Sequence, residues 1–71
     1  MRDQIYVRLQ PAKIDMLTKL VEAYDHLGVV STLDQSEGLV VIRSTADCMP
    51  ELEEILRSLP FSIEICAAPP Q

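Results

Sequence analysis

The sequence predicts an α+β sandwich in which four antiparallel strands carry two helices on one face. Three observations lead there. Two β-branched runs, Val29 to Leu33 and Leu39 to Ile42, flank the polar turn Asp34 to Gly38. An apolar stripe of helical spacing lies on each side of that hairpin, and an alternating strand pattern opens and closes the whole.

Ile5, Val7 and Leu9 alternate with Gln4, Tyr6, Arg8 and Gln10, so the first strand runs from about Gln4 to Leu9. Pro11 suits the first turn of a helix. Ile14, Leu17, Leu20, Val21 and Tyr24 then recur at three- and four-residue intervals, and the reading extends this helix to Gly28. Lys13, Asp15, Lys19, Glu22, Asp25 and His26 fall off the stripe and read as solvated charges.

In the hairpin, a four-residue loop Gln35 to Gly38 puts Asp34 opposite Leu39 and lets Gly38 adopt a left-handed conformation. With uninterrupted strands, Val29, Ser31 and Leu33 share a face with Val40 and Ile42. Val30 and Thr32 then share the other with Leu39, Val41 and Arg43. Arg43 does not belong unpaired in a core, so the Val40 and Ile42 side is taken as buried. A one-residue slip would swap the faces of Val29 to Asp34.

Thr45 or Asp47 can cap the second helix, whose first turn holds Pro50 and whose buried stripe is Leu52, Ile55, Leu56 and Leu59. Glu51, Glu53 and Glu54 sit near its positive end and Arg57 in its last turn. Pro60 ends it. Phe61, Ile63 and Ile65 alternate with polar residues as the last strand, giving one domain over 1–66 and a flexible tail over 67–71. The order β-α-β-β-α-β, with right-handed crossovers, leaves the ferredoxin-like sandwich of strand order 4-1-3-2. Its expected core is Leu9, Leu17, Leu20, Val40, Ile42, Leu52, Ile55, Leu56, Phe61 and Ile63.

The stretch EAYDHLGVVSTLDQSEGLVVIRS resembles the central block of a family of short, uncharacterised bacterial proteins classed as a domain of unknown function. The likeness covers Ile5 to Ile65, and its most specific parts are EAYD, VSTLD and EGLVVIR. It implies a ferredoxin-like fold and a bacterial origin, and no activity. More distantly, the topology is similar to that of ACT regulatory domains, which bind amino acids at domain interfaces. Those usually carry a glycine-containing loop after the first strand, where this chain has Gln10 and Pro11.

A chain of 71 residues buries only about 60% of the surface its unfolded form exposes, so its stability margin is small and association would help it. Six Lys plus Arg against eleven Asp plus Glu leave a net charge of −5, which disfavours nucleic acid and anionic membranes. There is no apolar run of about 18 residues to span a membrane and no secretory signal pattern. With two cysteines, Cys48 and Cys66, in no C-x-x-C spacing, the expected setting is cytoplasmic.

Familiar activities of this fold fail on missing residues. An acylphosphatase-like site resembles an Arg working with an Asn, and the chain contains no Asn. A copper chaperone needs close thiolates, an RNA-binding sheet needs several exposed aromatics, and an iron–sulfur site needs about four thiolates. A metal or redox site at the end holding Asp25, His26, Asp47, Cys48 and Cys66 ranks a distant third among the readings. No catalytic constellation and no cofactor are called for.

The uncovered sheet face carries the main expectation. By the alternation above it presents Tyr6, Arg8, Val30, Thr32, Leu39, Val41, Arg43 and Glu64, an apolar centre rimmed by charge. That composition fits a non-enzymatic interaction or regulatory module, self-associating as a dimer or docking on a partner. The alternative is a binder of a small acidic metabolite, with Arg8 and Arg43 as anion contacts.

Overall fold

In the computed structural model, which describes residues 3–24 and 26–66, strand β1 (Gln4–Leu9) buries Ile5, Val7 and Leu9 and leaves Gln4, Tyr6 and Arg8 half-buried. This is the period of two that its sequence carries. Pro11–Lys13 form a single 3-10 turn, in which the Lys13 N–H donates to the Gln10 carbonyl at 2.8 Å, and the chain enters helix α1 (Ile14–Glu22) directly. Ile14, Leu17 and Val21 are its buried residues.

α1 ends at Glu22, six residues short of the expected Gly28. The Ala23 N–H bonds the Lys19 carbonyl at 3.0 Å and the Tyr24 N–H bonds Val21 at 3.2 Å, after which the chain leaves the helical path. The physical reason is Leu27, which is fully buried. Six residues past Val21, a continued helix would have rotated it by about 240° away from the core side. Breaking the helix brings it back. Gly28 follows with φ +153°, packed so closely on the Arg43 carbonyl that a Cβ would collide with it. The Ser44 hydroxyl also donates to the Leu27 carbonyl, tying this turn to the end of the hairpin.

Strands β2 (Val29–Asp34) and β3 (Leu39–Arg43) are joined by the expected four-residue loop. Gly38 has φ +68°, its N–H donates to Gln35, and Asp34 pairs with Leu39. Beyond that pair the register departs from uninterrupted strands. Thr32 pairs with Val40, so Leu33 is an extra residue in a β-bulge, and every residue before it changes face. Val30 therefore pairs with Ile42 and packs on the core, while Val29 and Ser31 pair with Arg43 and Val41 on the open side.

Helix α2 (Met49–Arg57) has Cys48 at its N-cap in place of the expected Thr45 or Asp47, with no side-chain capping bond. Thr45 instead offers its carbonyl to the Cys48 N–H at 3.1 Å. Met49, Leu52 and Leu56 are buried, with Ile55 and Leu59 packed partly against them. Strand β4 (Ile63–Cys66) returns antiparallel to β1, pairing Leu9 with Ile63 and Tyr6 with Cys66. The sheet order β2-β3-β1-β4 is the expected 4-1-3-2, and the architecture is the ferredoxin-like α+β sandwich.

The core joins Ile5, Val7 and Leu9 of β1 and Val40 and Ile42 of β3 to the buried stripes of both helices and to Leu27. Leu20, expected inside, is 37% exposed. Ile14, Leu17 and Val21 already fill the line of α1 that meets the sheet, which leaves Leu20 and Tyr24 on the flank turned toward α2. Ile55, Phe61 and Ile63 contribute from the core's margin. The expected tail over 67–71 lies outside the described residues.

Candidate interface on the open sheet face

Strand register places the side chains of the uncovered face. On the central strands, Tyr6 lies opposite Val41, Arg8 opposite Leu39 and Gln4 opposite Arg43; on the β4 side, Arg8 lies opposite Glu64. Cross-strand partners share a face, so Tyr6, Arg8, Leu39, Val41, Arg43 and Glu64 are brought together as expected. Val30 and Thr32 are not. The bulge at Leu33 turns both toward the helices, and Val29 and Ser31 occupy their places.

Two details alter the chemistry of this face. Val41 is only 4% exposed in the isolated chain, walled in by its neighbours in the ladder, Tyr6, Ser31, Leu39 and Arg43. The apolar centre is thus smaller than the sequence suggests, with Tyr6 and Leu39 half-buried and Val29 at 60% exposure on the edge. The Tyr6 hydroxyl is engaged within the face, accepting a bond from the Gln4 amide at 2.9 Å.

Arg8 is the second. Its Nε is buried and has no hydrogen-bond partner, and among the described residues it forms no ion pair, although Glu64 lies directly across the ladder. Its charge is the smallest of the influences lowering the carboxyl of Asp34. The main one is the Ser36 hydroxyl, which donates to it at 2.7 Å, followed by the Glu37 N–H at 3.2 Å. A desolvated guanidinium nitrogen without an acceptor is costly. Arg43 does not converge with it. The two stand four residues apart along the β1–β3 ladder, roughly 13 Å at about 3.3 Å per residue.

The edge beside this face is guarded. The Glu22 carboxylate accepts the Val30 N–H at 3.3 Å, and the bulge breaks the line of free backbone groups farther along β2. Both devices oppose pairing with another strand.

At the other end, the Cys48 thiol donates to the His26 carbonyl at 3.3 Å, and the His26 ring approaches Glu51 at 3.1 Å with both side chains half-exposed. Cys66 sits apart, opposite Tyr6 on the open face, and both cysteines are free thiols. Among the described residues no group of three or more His, Cys, Asp or Glu side chains is placed to hold a metal ion, and Asp25 lies outside them.

Sequence reasoning missed a groove of about 480 Å³ on the helical side, lined by Leu20 and Tyr24 of the α1 flank and by Glu51, Glu54, Ile55 and Leu59 across from them. The signal was present: Leu20 and Tyr24 widen the α1 stripe beyond what the sheet can cover.

The family model described as "Domain of unknown function (DUF4911)" matches residues 7–63, from β1 through both helices and the hairpin to the start of β4. The chain belongs to that family. No curated protein and no solved structure matches it. No helix among the described residues is long and apolar enough to cross a membrane.

Proposed function

We propose that this member of the DUF4911 family is a non-enzymatic interaction module that works through its open sheet face, and that the partner is a second copy of the chain. The observation that carries the reading is Arg8. It stands on a central strand of the uncovered face with a buried, unpartnered Nε. Tyr6 and Leu39 form half-buried apolar surface around it. Face-to-face packing about a two-fold axis would bring the Glu64 carboxylate of the second copy toward the Arg8 guanidinium while covering the apolar surface. The guarded β2 edge disfavours pairing through that strand. Two free thiols fit a cytoplasmic setting for such a dimer.

Sedimentation velocity tests it. Wild-type protein is expected to sediment as a dimer at micromolar concentration, and Arg8→Glu as a folded monomer with an unchanged circular dichroism spectrum. A wild type that stays monomeric at all concentrations removes the proposal.

A second reading, an ACT-like binder of a small acidic metabolite, draws on the same nitrogen. The separation of Arg8 from Arg43 leaves only Arg8 to hold a single carboxylate. A thermal-shift screen of amino acids and phosphorylated metabolites decides it, since a ligand that binds the folded state raises the melting temperature.

A further inference from the structure

Three of the large apolar residues that this fold leaves exposed lie close together, Met16 and Leu20 at i and i+4 on one flank of α1 and Tyr24 just past its end, with exposures of 43, 37 and 43%. Residues four apart share a line on a helix surface, and among the described residues this flank is left partly uncovered. Two of them, Leu20 and Tyr24, form one wall of the groove, with Ile55, Leu59 and Pro60 opposite. Its volume of about 480 Å³ is room for a few apolar side chains of another molecule.

The two charged side chains that line it are both acidic. Glu51 and Glu54 line the groove, and neither Lys nor Arg does. Lys19, on α1, lies 3.0 Å from Asp15 in a solvent-exposed pair. Glu54 forms no ion pair among the described residues, and Glu51 meets only the His26 ring. An apolar trough walled by Glu51 and Glu54 discriminates against acidic segments and anionic surfaces.

We infer that the α1–α2 groove is a docking site for a basic, apolar-anchored segment of a partner protein, one whose hydrophobic side chains enter between Leu20, Tyr24, Ile55 and Leu59 while flanking Lys or Arg meets Glu54 and Glu51. The groove lies on the helical side of the sheet, opposite the face proposed for self-association, so the two surfaces can be occupied together and fail independently.

The test uses synthetic helical peptides sharing one leucine face and flanked by Lys, Gln or Glu, titrated into the wild-type chain and followed by amide chemical shifts and fluorescence anisotropy. The Lys-flanked peptide should bind on the order of tenfold tighter than the Glu-flanked one, from two exposed charge pairs. It should weaken with salt and perturb the amides of Leu20, Tyr24, Ile55 and Leu59. Glu54→Lys should remove the preference, and Leu20→Gln should weaken all three peptides together. Both positions are exposed or line the open groove, and circular dichroism checks that each variant is folded. Equal affinity for the three peptides, shifts confined to β1 and β3, an unchanged Glu54→Lys profile, or no binding at millimolar concentration would each overturn the inference, as would spermidine competing as well as the Lys-flanked peptide.

Discussion

Replacing Gly38 with Ala tests how the hairpin is seated on the rest of the sheet. Gly38 holds φ +68°, and its carbonyl accepts the Leu9 N–H at 2.8 Å. An added Cβ would fall inside contact distance of the Leu9 carbonyl oxygen and within 3.4 Å of the Pro11 ring. The left-handed conformation costs an alanine about 1–2 kcal/mol. Relieving the clash requires the loop to move off β1, which strains or breaks the Leu9 bond and adds about 1–3 kcal/mol. The sum, about 2–5 kcal/mol, compares with a whole-domain stability of roughly 4–11 kcal/mol at this length. Urea unfolding should show the midpoint fall by about 2–5 M for a slope near 1 kcal/mol per M. Gly38→Asn separates the two contributions, because Asn tolerates the left-handed region but carries the same Cβ. If Gly38→Asn is as stable as wild type, the backbone clash is refuted as the main source of the loss; if Gly38→Ala loses less than about 1 kcal/mol, the close approach of the loop to β1 has no energetic consequence and the reasoning fails.

The bulge makes a paired prediction. Val29→Asp should change stability by under about 0.5 kcal/mol, since Val29 is 60% exposed. Val30→Asp puts a carboxylate against Ile42 and should cost about 1–3 kcal/mol, again by urea unfolding. Leu27→Ala should cost about 2–5 kcal/mol because Leu27 is fully buried, whereas Leu20→Ala, at 37% exposure, should cost about 1 kcal/mol or less. Asp34 has its carboxyl lowered chiefly by the Ser36 hydroxyl and then by the Glu37 N–H. Its contribution is complete above the ordinary carboxylate range and is lost as pH falls through the depressed folded value, so the wild type should lose more stability than Asp34→Asn between about pH 5 and pH 2.

Local chemistry carried much of this protein into view. The alternation of β1, the turn Gln35–Gly38 and the stripe of α2 depend on neighbours within a few residues, and right-handed crossovers then leave one strand order. The loop register was legible because Asp34 and Gly38 carry the turn themselves. Six of the eight residues expected on the open face are there for the same reason: β1, β3 and β4 keep an unbroken period of two.

What remained depended on contacts between distant parts of the chain. Leu33 is apolar and β-favouring, and nothing adjacent to it marks a bulge; Val30 turns inward because Ile42 and the core accept it, and one extra residue then moves Thr32 as well. Leu27 ends α1 early because burying it outweighs the helical bonds lost, a comparison that needs the core to exist. Leu20 and Tyr24 share the apolar spacing of Leu17 and Val21, yet the width of the sheet and the placement of α2 decide which are covered. A side chain's periodicity reports the face it shares with its neighbours, while the burial of that face is a property of what the rest of the chain brings against it.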